Sequence, residues 1–256
     1  MSECNPFVLL MQYGENFAYK HADALISLPK YAKDYMVKHG LTEEKFHYIP
    51  NGIVKEEWEN PQCLNTEHAI VLSKLKQNKK FIVGYFGGHA LSNNLQTLIQ
   101  SAKHMQNEMI HFVLVGDGVE KPKLVKMAKN LNNVTFLPSV PKTMIPSLTN
   151  FFDCIFIGAK DSPLYRFGIC MNKMFDSMMA CKPIIFAVNA PPTPIEEYNC
   201  GFIVEPENVK AVDEAIIRLY EMTELERVTM AQRGKTAVME KYTYEILAKD
   251  FLKAMY

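Results

Sequence analysis

Asn172, Lys173 and Asp176 fall on consecutive turns of one segment with helical apolar spacing, Asn172 to Ala180, which runs into a β-like stretch beginning at Pro183. On a helix starting at Asn172, the first two side chains stand beside unpaired backbone N–H groups and the positive end of the helix dipole, where an anion is favoured. Asp176, four residues after Asn172, shares their face. A carboxylate there suits a ribose, because it accepts hydrogen bonds from two adjacent hydroxyls. The three residues therefore have the chemistry of a nucleoside diphosphate site. They would serve equally in an amphipathic helix with a solvated charged face.

Two glycine-bearing turns supply further candidates. Gly84-Tyr85-Phe86-Gly87-Gly88-His89 puts a glycine pair at the end of a strand, which permits positive φ and close approach of backbone to phosphate, or makes a purely structural turn. The dinucleotide fingerprint wants a third glycine at fixed spacing, and Gly87 to Ser92 has none, so a nicotinamide enzyme is disfavoured. In Val115-Gly116-Asp117-Gly118 the glycines let the chain reverse and Asp117 is placed to cap the next helix or to meet a ligand. Val140 follows another strand, in an exit loop whose backbone suits a nucleobase edge. Arg166, in the polar loop from Lys160, would neutralise diphosphate charge by paired hydrogen bonds or stand as an exposed loop cation. His89 would approach a phosphate or end a turn.

These residues need elements to position them. From Phe81 onward, apolar runs at Phe81 to Gly87, Ile110 to Gly116, Val134 to Leu137, Cys154 to Ile157, Pro183 to Val188 and Phe202 to Val204 read as strands. Helical periods lie between them at Leu95 to Met105, Lys121 to Leu131, Lys142 to Thr149 and Asn172 to Ala180. Repeated β-α alternation predicts a Rossmann-like α/β fold, a parallel sheet flanked by helices, with ligands beyond the carboxyl ends of the strands. Helices dominate from Val209 to Tyr256. Before the sheet, the expected elements are a helix near Glu15 to Ala22, a strand Ala24 to Leu28, a helix Tyr31 to His39 and a strand Phe46 to Ile49. Two strands do not make a stable sheet alone. They join the main sheet or belong to a second α/β domain. Residues 52–80 have a connector's composition, with one helix.

The 256 residues, 48% hydrophobic, can bury one large core or two modest ones. Lysine plus arginine balance aspartate plus glutamate at 28 each, so no global field draws the chain to nucleic acid or anionic lipid. No apolar run approaches the roughly 20 residues that span a bilayer, and no signal peptide is evident, so the cytoplasm is the default compartment. Six scattered cysteines (Cys4, Cys63, Cys154, Cys170, Cys181 and Cys200), without a Cys-x-x-Cys pair or a nearby histidine at ligand spacing, read as reduced and mostly buried thiols rather than a zinc site.

With Pro50-Asn51-Gly52, the Gly87-Gly88 turn, Val115 to Gly118, Val134 to Leu137 and Phe175 to Pro183 in this order, the chain resembles the family 4 glycosyltransferases of the GT-B fold. The match covers roughly Lys80 to Met239, the nucleotide-sugar-binding C-terminal domain. The resemblance implies a division into residues 1–52, the tail of an acceptor-side N-terminal domain, 53–79 as connector, 80–242 as donor domain, and 243–256 as a helix packing back toward the N-terminal part. It further implies a UDP- or GDP-type sugar donor, no metal or other cofactor, retention of anomeric configuration, and a saccharide or lipid-linked acceptor in surface-polysaccharide synthesis. Such an acceptor would be met at the inner face of the membrane, through the N-terminal domain. Donor-binding positions carried over are Gly87, Gly88, Asp117, Val140, Gly168, Ile169, Asn172 and Asp176, with Lys173 and Arg166 as the catalytic cations at the diphosphate. Asp176 matches the second of two family glutamates; the first position is Gly168, and Asn93-Asn94 occupy the stretch where many members carry a phosphate-holding lysine. Alternatives are a non-catalytic binding module, a subunit completed by a separate N-terminal domain, and a sugar-nucleotide epimerase. Apolar side chains including Phe17, Tyr31, Tyr35, Phe251 and Leu252 are expected at the surface that a larger N-terminal domain would cover.

Overall fold

A computed structural model of the chain describes residues 5–106 and 109–256; Cys4 lies outside the described residues. The first elements are α1 (Pro6–His21), β1 (Leu25–Ser27), α2 (Lys33–Lys38) and β2 (Phe46–Tyr48), followed by α3 (Lys55–Glu59) and α4 (Thr66–Gln77). Then come β3 (Phe81–Phe86), α5 (Leu95–His104), β4 (Ile110–Val115), α6 (Lys121–Met127), β5 (Val134–Leu137), α7 (Ile145–Thr149) and β6 (Cys154–Gly158). The chain continues through α8 (Asn172–Met179), β7 (Ile184–Ala187), α9 (Pro194–Glu197), β8 (Gly201–Val204), α10 (Val209–Glu221), α11 (Glu224–Lys241) and α12 (Tyr244–Met255).

Six strands form one parallel sheet in the order β5-β4-β3-β6-β7-β8. The central strands are buried on both sides, and their side chains alternate between two cores. Phe81, Val83 and Tyr85 of β3 join Phe112, Phe156 and Ile185 on one face, under α5 and α10. Ile82 and Phe86 join Val113, Ile155 and Phe186 on the other, under α4, α8 and α11. This is the period of two expected of strands, in runs that read as continuously apolar because both faces are covered. Gly84 is required within β3. A Cβ there would lie 2.1 Å from the Phe152 ring, which packs directly on the strand backbone. Chain order reverses between β3 and β6, the place where open α/β sheets leave a crevice.

β1 and β2 pair parallel with each other and do not join the main sheet, which rules out the first of the two arrangements left open by the sequence. α1 begins well before the expected Glu15, because Asn5 caps it through Phe7 N (2.9 Å) and Pro6 occupies its first turn. Residues 52–80 hold two helices rather than one, and α4 is part of the core, with Leu72 and His68 fully buried. After α11 the chain meets the end of the N-terminal part: Ile53 N donates to Tyr242 O (2.9 Å) and Tyr244 N donates to Ile53 O (3.0 Å). Cys154 and Cys200 are buried, Cys170 and Cys181 half-buried, and Cys63 exposed. No helix among the described residues is long and apolar enough to cross a membrane.

Candidate functional site

The β3 and β4 exits touch backbone to backbone. Gly87 N donates to Val115 O (3.0 Å), and a Cβ on Gly116, whose φ is +145°, would fall 1.9 Å from Gly87 O. Only glycine permits this approach at that φ. A Cβ on Gly88 would meet nothing within 4 Å, so the turn's outer side faces open space. That space is a cleft of about 650 Å³ beyond the carboxyl ends of the strands, walled by the Gly87-Gly88 turn, Gly116, Asp117, Ser139, Val140, Lys142 and the start of α8.

Across the cleft, α8 presents its N-terminus with no side chain capping it and no acid in its first turn, which leaves N–H groups for an anion. Asn172, Lys173 and Asp176 all line the cleft. The Lys173 ammonium lies against the glycine turn: a Cβ on Gly87 would stand 3.5 Å from Nζ. Nζ donates to Asn93 Oδ1 (2.8 Å) and Tyr85 Oη (3.1 Å) and sits 4.8 Å from the Tyr85 ring centroid. Burial pulls its pKa down to about 8. One turn deeper, Asp176 is 7% exposed. Burial pushes its carboxyl up to about 6; Lys142 opposes this and Glu57 reinforces it. Lys142 is in turn paired with Glu57 of α3 at 3.6 Å.

Asp117 lies at the cleft, but both oxygens are engaged. Oδ1 accepts from Lys121 Nζ (2.7 Å) and Oδ2 from Ser139 N (3.1 Å), which holds its pKa down at about 2. It thereby fastens the exit loop of β5 to that of β4, and it does not cap α6, whose N-cap is Glu120. His89 is fully buried with neither ring nitrogen hydrogen-bonded, beside Tyr85 and Phe136. Burial lowers its pKa to about 4, and it ends the turn without lining the cleft.

Three expected site residues are elsewhere. Arg166 is exposed on a 3-10 turn, Pro163–Phe167, with its guanidinium stacked 4.7 Å from the Phe167 ring centroid, and it does not line the cleft with Lys173. Gly168 and Ile169 face a narrow seam against Lys30, Tyr31 and Tyr48. The cause is docking of this loop onto the N-terminal part. Tyr31 N donates to Phe167 O (3.0 Å), Tyr35 stacks on Phe167 at 5.1 Å, and Lys30 pairs with Glu197 (2.6 Å). Asn51 holds the next stretch, donating from N to Cys170 Sγ and from Nδ2 to Cys170 O, both at 3.1 Å. Sequence reasoning missed Tyr85 and Lys142 as site residues and noted Asn93 only as standing where many family members carry a lysine. Their signal was position, since each lies at or just past the carboxyl end of a β-like run.

A family described as glycosyl transferases group 1 matches residues 69–236. The chain is 25% identical over 150 residues to WcaI of Escherichia coli (strain K12), by name a colanic acid biosynthesis glycosyl transferase; the match spans 56% of this chain and 37% of that protein. Anabaena HepE, crystallised with UDP and glucose, has a similar fold at a TM-score of 0.75 and 18% identity, over 96% of this chain and 66% of that one. Sucrose-phosphate synthase of Thermosynechococcus elongatus gives a TM-score of 0.76 at 17% identity, over 96% and 60%. The chain thus spans about a third of the curated relative and less than two thirds of these two solved chains.

Proposed function

From the premise that this chain belongs to the glycosyl transferases group 1 family, we propose that its cleft binds a nucleoside diphosphate sugar, of UDP or GDP type, for transfer to a saccharide or lipid-linked acceptor. The observation that carries this reading is the convergence of Lys173, the Gly87-Gly88 turn and Asp176 on one cleft at the point where strand order reverses. The diphosphate lies between the N-terminus of α8 and the glycine turn, and Asp176 accepts hydrogen bonds from the ribose hydroxyls. As the glycosidic bond breaks, negative charge grows on the leaving diphosphate oxygen. Lys173 and the α8 N–H groups are already oriented toward it, which stabilises the transition state without reorganisation. Because Arg166 lies outside the cleft, Lys173 is the ammonium at the diphosphate. Transfer proceeds with retention and without a bound metal, so EDTA leaves it unchanged. HepE's complex with UDP and glucose supports the donor class, and WcaI's name supports a role in surface polysaccharide.

Calorimetry with UDP and GDP tests the site. Lys173→Ala and Asp176→Ala should each weaken the preferred nucleotide about 10- to 100-fold, the range for hydrogen bonds to charged groups. Wild-type affinity in both variants would refute it.

A second reading is a donor-binding subunit that needs a separate N-terminal half. α1 favours it, burying no residue and leaving Phe7, Leu10, Tyr13 and Phe17 more than half exposed. Detectable sugar transfer by the isolated chain would exclude that version.

A further inference from the structure

Lys173 is a cation whose enclosing partners are neutral. Among the described residues no carboxylate pairs with it; its amine donates to the Asn93 carbonyl oxygen and the Tyr85 hydroxyl. The proton arrangement of this cluster is fixed by chemistry. An ammonium only donates and the Gly88 carbonyl only accepts. Asn93 therefore turns Oδ1 to Lys173 and donates from Nδ2 to Gly88 O (2.8 Å), while Tyr85 receives from Lys173 and gives its own proton to Gly88 O (2.7 Å). Asn93 thus holds the amine with one end of its amide and the glycine turn with the other, and Tyr85 bridges the two through its single hydroxyl. Two of the ammonium's three N–H groups are used, which leaves one for a ligand in the cleft that Lys173 lines.

We propose that Tyr85 and Asn93 are positioning residues that lock Lys173 and the Gly87-Gly88 turn into one diphosphate-binding unit while leaving the lysine's charge uncompensated. Resting on the donor-site reading above, this assigns Asn93 a task different from that of a phosphate-holding lysine. It does not touch the diphosphate but aims a cation supplied from α8. A carboxylate at the same place would hold the amine as well and cancel the charge that attracts the ligand.

The test measures UDP and uridine binding by calorimetry in wild type, Tyr85→Phe, Asn93→Ala and Asn93→Asp, with melting temperature as the check on folding. Tyr85→Phe and Asn93→Ala should each lower the ratio of UDP to uridine affinity about 10-fold, the worth of one hydrogen bond to a charged group at the weaker end of its range, and leave uridine affinity unchanged. Asn93→Asp, despite keeping an acceptor for Lys173, should lose more UDP affinity than Asn93→Ala. Tyr85→Phe preserves the buried ring and so separates positioning from folding. An unchanged ratio in folded variants, equal losses of UDP and uridine, or Asn93→Asp binding UDP better than Asn93→Ala would each overturn the proposal. If wild type itself binds no nucleoside diphosphate, the donor-site reading fails first.

Discussion

The six-stranded unit and the first 51 residues solve the same problem to different degrees. Residues 81–204 form a parallel sheet whose central strands are covered on both faces, and the cleft is assembled at its carboxyl edge from groups within that unit. The first 51 residues contribute a two-stranded sheet, a helix with no buried residue, and a few polar and aromatic contacts onto the loop 163–171. A sheet of two strands does not sustain itself. The N-terminal part is therefore held by the larger unit, and it supplies none of the residues that line the cleft. The difference separates a unit that builds its own cleft from a segment whose first helix leaves most of its apolar side chains exposed.

Three experiments would break or sharpen that contrast. Gly116→Ala should have the largest effect, because its Cβ would strike the Gly87 backbone at a φ of +145°. We expect a loss of about 3 kcal/mol in stability, the upper range for overpacking, together with loss of UDP binding, read by denaturant unfolding and calorimetry. If the variant keeps both, the two turns are not a rigid unit.

The pH dependence of UDP affinity comes next. Burial pulls the Lys173 pKa down to about 8 and pushes that of Asp176 up to about 6, so both are mostly charged only near pH 7. Affinity should fall above pH 8 as Lys173 loses its proton and below pH 6 as Asp176 gains one, by up to about tenfold per pH unit on each side. Asp176→Asn should flatten the protein's share of the acidic limb. The ligand-free protein should behave oppositely. Asp176, raised in the fold, contributes stability fully present below pH 4 and lost as pH rises through 6; Lys173, lowered in the fold, contributes stability present above pH 10.5 and lost as pH falls through 8. Thermal melting with and without UDP across pH 4 to 11 would show whether the two curves diverge in this way.

The smallest effect belongs to α1. Replacing Phe7, Leu10 and Tyr13 by glutamine should change stability by less than about 0.5 kcal/mol per site and leave UDP affinity as it was, because these side chains are 61%, 66% and 70% exposed. A marked loss of nucleotide affinity would mean that the two regions are coupled.

Much of the larger unit was legible. Its strands are short, apolar and rich in β-branched and aromatic residues, and their observed limits lie within a residue or two of those read from the chain. The order of β-α units then brought Gly87, Lys173 and Asp176 to one edge, since parallel strands put all their carboxyl ends together. Arg166 was not legible because the direction of its 3-10 turn is decided by Tyr31 and Tyr35, far away in sequence. Asn93 was noticed only as a missing lysine. Its partnership with Lys173 depends on the fold of the Gly87-Gly88 turn, against which both side chains lie. Tyr35, expected on the open surface, is half-buried because Phe167 covers it. α1 carried its own start signal in Asn5-Pro6, but its weak apolar patterning, the mark of a helix with no core to face, obscured it.

The ties from Tyr31 to Phe167 and from Asn51 to Cys170 bracket the stretch that feeds into Asn172. Little slack is left between them. The N-terminal segment is therefore fastened at two points to the lead-in of α8, so the placement of one constrains where the other begins.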